Sequence, residues 1–452
     1  MLQSAGGKTL TVGRLAESRV MPGRQALLTV SVLLPTFNRA QLLGEAIDSV
    51  LEQTHLPLEI IILDDGSTDE TPSVCAAYAS KVKYVRISEN GGKTAAINAG
   101  LELAAGNVIW VMDDDDIAPP DALKTLLAPL QADPKLGFTF GSLKKFTMTA
   151  RGERVFVDQA DQAPAGARHL FAHLMEDCFI TGQPCALFRR RCFNAIAPFD
   201  SSITASVDYN ILLQVARRHQ GADVGQVVLW QRQHAGLRGP QAARHASHER
   251  VQRWQKFDAR LLADLLPELN LNEFLDDVAA SQTLAPMQAR RALLQRAVIA
   301  GRKDLWDIAL GSLIDGLEAA PGTVLARSDL EILSRLLGSR YGIDILLGDR
   351  NIQKRLATAA NRARNGGAVR MAMASMLTYW AGQGLRRMDA AYIASCARAL
   401  YRLAGIGGAT KLVLGALNRR LELRTVQRRA RRDTAAAPAT YAGEERSTKP
   451  AR

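Results

Sequence analysis

From Leu28 to Ala128 the chain alternates between short apolar runs of strand character and longer stretches of helical periodicity. No other feature constrains the fold as tightly. Leu28–Leu34, closed by Pro35, and Leu58–Leu63 are almost continuously apolar, as a strand buried on both faces must be. Val82–Ile87 and Asn107–Met112 supply two further strands. Leu42–Gln53, Thr71–Ala79, Lys93–Ala105 and Pro120–Ala128 follow them as helices, and the first turn of the second accommodates Pro72. Alternation of this kind predicts an α/β domain, with a mostly parallel sheet covered by helices on both faces.

Past Phe138 the helical rhythm loosens. Phe138–Phe140, Arg154–Val157, Ala186–Phe188 and Val227–Trp230 read as short strands that complete a mixed sheet. Beyond about Pro240, Ala, Leu and Arg at helical spacing dominate, with breaks near Pro267, Pro286, Pro321, Gly348, Gly366 and Gly407. Helix–turn–helix pairs are the expected unit, without a fixed repeat period. The organisation expected is therefore a loose leader (1–26), an α/β domain (27–240), an all-α domain (241–432) and a disordered tail (433–452).

The net charge of +12 is concentrated rather than spread. Between Lys411 and Arg432 eight basic residues face the single acid Glu422, a local +7, so the chain as a whole does not read as a nucleic-acid binder. Leu414, Leu417 and Leu421 give this segment an apolar side, which suits an anionic membrane surface at roughly 1 kcal/mol per basic residue. The five cysteines form no C-x-x-C pair, and no stretch reaches about 18 uncharged apolar residues. A reduced, cytoplasmic location, peripheral at most on the inner membrane face, is the expectation.

Three polar clusters fall just after strands: Pro35–Arg39, Asp64–Asp69 and Asp113–Asp116. Strand ends of one parallel sheet share an edge, so the clusters are expected to converge where α/β sheets bind ligands. Four consecutive carboxylates repel one another unless a cation is present. A hard divalent ion such as Mg²⁺ or Mn²⁺, which keeps positions open for phosphate oxygens, fits them best. Strand alternation would put Asp113 and Asp115 on one face, with Asp114 turned away and Asp116 serving the next helix. Asp64 and Asp65 suit hydrogen bonds to a base or ribose, beside the permissive Gly66. Gly91 and Gly92 open a helix whose amides would hold phosphate, with Lys93 as counter-charge. The chain has neither a P-loop nor a G-x-G-x-x-G, which argues against ATP-driven and nicotinamide-linked chemistry.

In order and spacing, Val30–Arg39, Leu63–Asp69, Asn90-Gly91…Asn98-Ala-Gly100 and Met112–Pro120 resemble the family 2 glycosyltransferases of GT-A fold. The resemblance covers about Val30 to His234. It implies an inverting transfer from a nucleotide-diphosphate sugar, UDP- or GDP-linked, to a saccharide, lipid-linked or protein acceptor in surface polysaccharide or glycolipid synthesis. On that resemblance Asp113, Asp115 and His234 hold the metal. Pro35, Thr36, Asn38, Arg39, Asp64, Asp65, Gly91, Lys93, Asn98, Asp114 and Arg232 line the donor site. Asp208, after Phe199-Asp200, is the implied general base. Two positions depart from the family pattern: Val207 stands where a Glu precedes the base, and Ile97 where many members carry Arg. Those departures motivate the alternative of a silent, scaffold-like relative. A nucleotidyltransferase would want a Gly-rich basic loop after the first strand, and Pro35–Arg39 is not one.

Overall fold

The computed structural model describes residues 27–159, 170–203, 205–233, 250–275 and 283–435. The leader 1–26, His234 and the tail beyond 435 lie outside the described residues. Strand β1 (Val30–Thr36) is buried along its whole length. It pairs in parallel with β2 (Glu59–Asp64) on one side and β4 (Val108–Val111) on the other. β3 (Lys83–Arg86) continues the parallel set beyond β2. Helix α1 (Ala40–Leu51) joins β1 to β2 and buries Leu43, Ala46, Ile47 and Val50, the i, i+3, i+4, i+7 stripe of a helix laid on a sheet. Helices α2 (Thr71–Ala77) and α3 (Gly92–Leu103) make the next two crossovers. Gly100 lets α3 lie close to the sheet, since a β-carbon there would stand 2.6 Å from Leu63 Cδ1.

The eight-stranded sheet runs β3-β2-β1-β4-β7-β5-β6, with β8 on β5. After α4 (Ala122–Ala132) come β5 (Leu136–Met148), β6 (Arg154–Gln159), α5 (Leu170–Glu176), β7 (Ala186–Arg189), α6 (Val207–Arg218) and β8 (Gln220–Arg232). β7 runs antiparallel between β4 and β5, β6 is antiparallel to β5, and β8 is parallel to β5. The mixed, mostly parallel sheet expected from the alternation is what forms. β5 and β8 span 13 residues each, much longer than the apolar runs that marked them. Polar residues at Thr139, Ser142, Lys144 and Lys145 interrupt the apolar signal of β5; Thr139 is nevertheless buried, its hydroxyl donating to the Leu126 carbonyl at 2.6 Å.

The strand order reverses between β1 and β4. The chain moves outward through β2 and β3, then returns to β1's other side. Such a switch point leaves a crevice at the carboxyl ends of the two strands, where neighbouring crossovers diverge.

From α7 (Arg250–Leu265) onward the described residues are helical: α8 (Pro286–Arg302), α9 (Trp306–Glu318), α10 (Arg327–Ser334), α11 (Arg340–Gly348), α12 (Arg350–Ala360), α13 (Gly366–Ala374), α14 (Leu377–Arg386) and α15 (Ala390–Ala435). The helical break read near Gly407 falls at Gly405, whose φ of 70° interrupts α15. Arg290 of α8, fully buried, donates to the Ala320 carbonyl and the Thr323 hydroxyl, both at 2.6 Å, and lies 3.8 Å from Asp329, which offsets part of the cost of burying its charge.

Candidate active site

The register of β1 on β4 pairs Leu33 with Val111, so three residues further on Thr36 stands beside Asp114. The Thr36 hydroxyl donates to Asp114 Oδ2 at 2.8 Å. Arg39, at the start of α1, places Nη1 2.7 Å from Asp115 Oδ2. Two of the three polar clusters are thereby locked together across the crevice. β4 ends at Val111, and the four aspartates occupy the turn beyond it. Strand alternation therefore does not govern their side chains. Asp113, Asp115 and Asp116 each offer an oxygen within 4.8 Å of the others, while Asp114 turns to Thr36. Asp116 also accepts the Arg232 amide at 2.9 Å. Crowded, hard oxygen donors of one sign fit a divalent cation such as Mg²⁺ or Mn²⁺.

The electrostatics record the crowding. Burial first, then repulsion from Asp115, pushes Asp114 up to about 7. Asp113 is raised as well, by burial and then by Asp208 and Asp115, against the pull of Lys93. Burial disfavours the Arg39 guanidinium, but Asp114 and Asp115 outweigh it and raise its pKa.

Lys93, in the first turn of α3, is the bridge across the site. Its ammonium lies 2.7 Å from Asp113 Oδ1 and 3.0 Å from Asp208 Oδ1. Burial opposes the charge, yet Asp113 and Asp208 together raise the Lys93 pKa. Asp208, in the first turn of α6, also lies 3.4 Å from the Gln183 amide nitrogen, and about a third of its side chain stays open to solvent.

At the end of β2, Asp64 is wholly buried, accepting the Ser67 amide at 2.8 Å and the Tyr84 hydroxyl at 2.5 Å. Asp65 accepts the amides of Gly91 and Gly92 at 2.9 and 2.7 Å and the Asn90 side chain at 2.9 Å. Burial raises its pKa in spite of those two amides. The glycine amides expected to cradle phosphate are thus directed onto Asp65. Gly66, at φ 80°, makes the tight turn between these contacts.

Contacts link Thr36 with Asp114, Arg39 with Asp115, Asp65 with Gly91, and Lys93 with both Asp113 and Asp208, while Pro35 and Asp64 lie at the ends of β1 and β2. Three further candidates make scaffold contacts. Asn38, in left-handed backbone (φ 53°), accepts the Thr68 amide at 2.7 Å. Asn98 exchanges two 2.8 Å hydrogen bonds with the Phe199 backbone, fixing the segment that leads to Asp208. Arg232 pairs with Glu45, donates to the Asp115 carbonyl at 3.2 Å and stacks 4.9 Å from the Phe146 ring centroid. Glu45, Tyr84 and Gln183 were not singled out from sequence. Gln183 is fully buried, and its side-chain amide has no hydrogen-bond partner among the described residues. None of the three carries a local motif; only the tertiary fold brings them to the site.

The chain is similar in part to several known proteins. Glycosyltransferase GlyG of Streptococcus pneumoniae serotype 4 is 37% identical over 105 residues, 23% of this chain and 35% of its own length. An uncharacterized glycosyltransferase of Rickettsia prowazekii is 38% identical over 95 residues, 21% of this chain and 30% of its own. The chain thus spans about a third of the length of the curated relatives it matches. Among solved structures, S. aureus TarS 1-349 in complex with UDP-GlcNAc aligns at TM-score 0.44 and 14% identity, over 80% of this chain and 93% of that one. The mannosyltransferase PcManGT from Pyrobaculum calidifontis, in complex with GDP-Man and Mn²⁺, aligns at 0.40 and 18%, over 82% and 87%. The sequence model for Glycosyl transferase family 2 matches residues 31–196, from β1 through β7, and it is over this segment that the chain is similar to that family.

Proposed function

We propose that the protein transfers a sugar, with inversion, from a nucleotide-diphosphate donor to an acceptor hydroxyl in a metal-dependent reaction. One observation carries this reading: the carboxylates of Asp113 and Asp208, from opposite sides of the switch-point crevice, meet through Lys93. Asp113 and Asp115, with Asp116 beside them, would hold Mn²⁺ or Mg²⁺, which would supply positive charge to offset that of the diphosphate. His234, the remaining proposed ligand, follows the end of β8 in the sequence.

In the reaction the acceptor oxygen attacks the anomeric carbon, and the bond from that carbon to the diphosphate oxygen breaks. The hydroxyl proton passes to the carboxylate of Asp208. Lys93 and Arg39 supply fixed positive charge beside the position where the leaving group gathers negative charge. Asp65, just after β2, is the proposed contact for base or ribose, with Asp64 buried behind it on Ser67 and Tyr84 and Thr36 fixing Asp114 nearby. The proposed donor is UDP- or GDP-linked. The proposed acceptor is a saccharide, a lipid-linked group or a protein, in surface polysaccharide or glycolipid synthesis. A silent, scaffold-like role is not favoured, because the full acidic set and Asp208 stand together despite Val207 and Ile97.

The basic segment 411–432 would rest on an anionic membrane surface. Val413, Leu414 and Leu417 are exposed beside Lys411 and Arg419, and no described helix is long and apolar enough to cross a bilayer.

A donor panel of UDP-glucose, UDP-N-acetylglucosamine and GDP-mannose, screened by thermal shift with Mn²⁺ and then for turnover, tests the reading. A metal-dependent rise in Tm and donor consumption with one of them is expected. No shift and no turnover with any nucleotide sugar would overturn it.

A further inference from the structure

Helices α7 and α8 contribute directly to the architecture around Asp208. The residue preceding α6 is Ser206, in left-handed backbone at φ 55° and ψ 28°, a conformation that non-glycine residues rarely adopt without support from their surroundings. A serine at a helix N-cap ordinarily turns its hydroxyl back onto the helix's own amides. Ser206 makes no such bond. Its carbonyl accepts the Asn210 amide at 3.0 Å to start the helix, while its hydroxyl donates outward to Asp258 Oδ1 of α7 at 2.7 Å.

Asp258 is in turn fixed by Lys303, immediately after α8, whose ammonium lies 3.0 Å from Asp258 Oδ2. The same ammonium sits 4.6 Å from the centroid of the Tyr209 ring. Lys303 therefore grips α6 on both sides of Asp208: at Ser206 through Asp258, and at Tyr209 directly. Asp258 and Lys303 are 8% and 6% exposed. A buried ion pair of this kind adds little net stability, because desolvation offsets the attraction; what it does supply is fixed geometry. From the opposite side the Thr94 hydroxyl donates to the Ile203 carbonyl at 3.3 Å, and Asn98 holds Phe199. The segment carrying Asp208 is thus clamped between α3 and the helical half.

We propose that Asp258 and Lys303 are positioning residues for glycosyl transfer, and that the active site is incomplete without the helical region. The inference rests on the reading of Asp208 as the base. It makes α7 and α8 part of the machinery that aims the Asp208 carboxylate, with Ser206 as the point of attachment.

Two variants of the full chain remove the tether by different routes. Asp258→Leu/Lys303→Met replaces the buried pair with apolar side chains of similar size, a change that such sites often tolerate. Ser206→Gly fits the left-handed backbone and removes only the hydroxyl. Binding is read with UDP and Mn²⁺, turnover with the donor panel above, and local order by hydrogen exchange in the first turn of α6. In both variants kcat for donor turnover is expected to fall roughly 10- to 100-fold, as for small misplacements of a reacting group. UDP affinity should stay within about two-fold of wild type, the mark of a defect confined to the transition state. Exchange at Tyr209–Ile211 should accelerate in the double variant relative to the helices α9–α14.

Unchanged exchange there with kcat near wild type would overturn the proposal, as would a kcat loss that only tracks loss of UDP affinity and global melting. Asp208→Asn separates the two claims. If it turns over donor like wild type, the base assignment fails, while the exchange readout still decides whether the clamp exists.

Discussion

At the scale of single residues, the acidic turn and the carboxylate facing it can be told apart by substitution. Asp113→Asn removes one oxygen donor and relieves like-charge crowding. The Mn²⁺-dependent rise in Tm is expected to disappear and donor turnover to fall roughly 100-fold or more, while the metal-free Tm holds or rises. Differential scanning fluorimetry with and without Mn²⁺ checks this. Asp208→Asn should do the opposite: retain the metal-dependent shift and lose about 10²- to 10⁴-fold in kcat, the usual contribution of a general base. Asp113 was singled out by its place just after a buried strand, whereas Asp208 entered only through the family resemblance. Asp116 was harder to place. By sequence it serves the start of the next helix, but the chain leaves the sheet at Val111, and the turn brings an Asp116 oxygen close to those of Asp113 and Asp115.

At the scale of elements, the edge of the sheet remote from the site is tied by Glu59. Its carboxylate accepts the Ser31 hydroxyl and the Ala105 amide, both at 2.6 Å, and lies 2.5 Å from Lys83 Nζ. Burial would raise its pKa, but Lys83, Ser31 and Ala105 together lower it below 4.5. A carboxyl depressed in the folded state stabilises above its unfolded pKa, and that contribution is lost as pH falls through the folded value. Glu59→Gln should therefore lower the urea midpoint at pH 7 and flatten the loss of stability between about pH 5 and pH 3, measured by urea unfolding across that range. Asn98→Ala leaves both backbone groups of Phe199 unpaired, at about 1–3 kcal/mol in the same assay. The family resemblance had placed Asn98 among donor contacts. Its pairing 101 residues away is invisible to local pattern, because nothing in Asn98-Ala-Gly100 encodes where Phe199 will lie. Conversely β1 and β2 were legible to within two residues at each end, since strands buried on both faces must be largely apolar. Pro35, read as closing the first strand, lies inside β1.

At the scale of the whole molecule, the α/β and helical parts are joined through charged groups rather than through an apolar seam alone. Glu176, at the end of α5 and 7% exposed, accepts Gln295 Nε2 at 2.7 Å and Arg335 Nε at 2.8 Å, while its carbonyl accepts Arg302 Nε at 3.0 Å. Removing one partner from such a buried set strands the others. Glu176→Ala is expected to cost roughly 3–5 kcal/mol and to weaken the coupling between the two parts. A calorimetric scan that separates into two transitions, where wild type shows closer coupling, is the outcome that checks it.

The sequence by itself determined the order of strands and helices and the polar clusters at strand ends, and its motif blocks carried the resemblance to the family 2 glycosyltransferases. The order and the clusters follow from periodicities and offsets written over a few residues, which burial and hydrogen bonding read locally. Only the tertiary structure decided which oxygens converge, that Lys93 spans Asp113 and Asp208, and that Asp258 and Lys303 reach the turn before Asp208. Those pairings join residues 20 to 115 positions apart. They exist because β4 returns to the open side of β1 and because α5 lies against both α6 and α8, so distance in space is set by topology and not by neighbours in the chain.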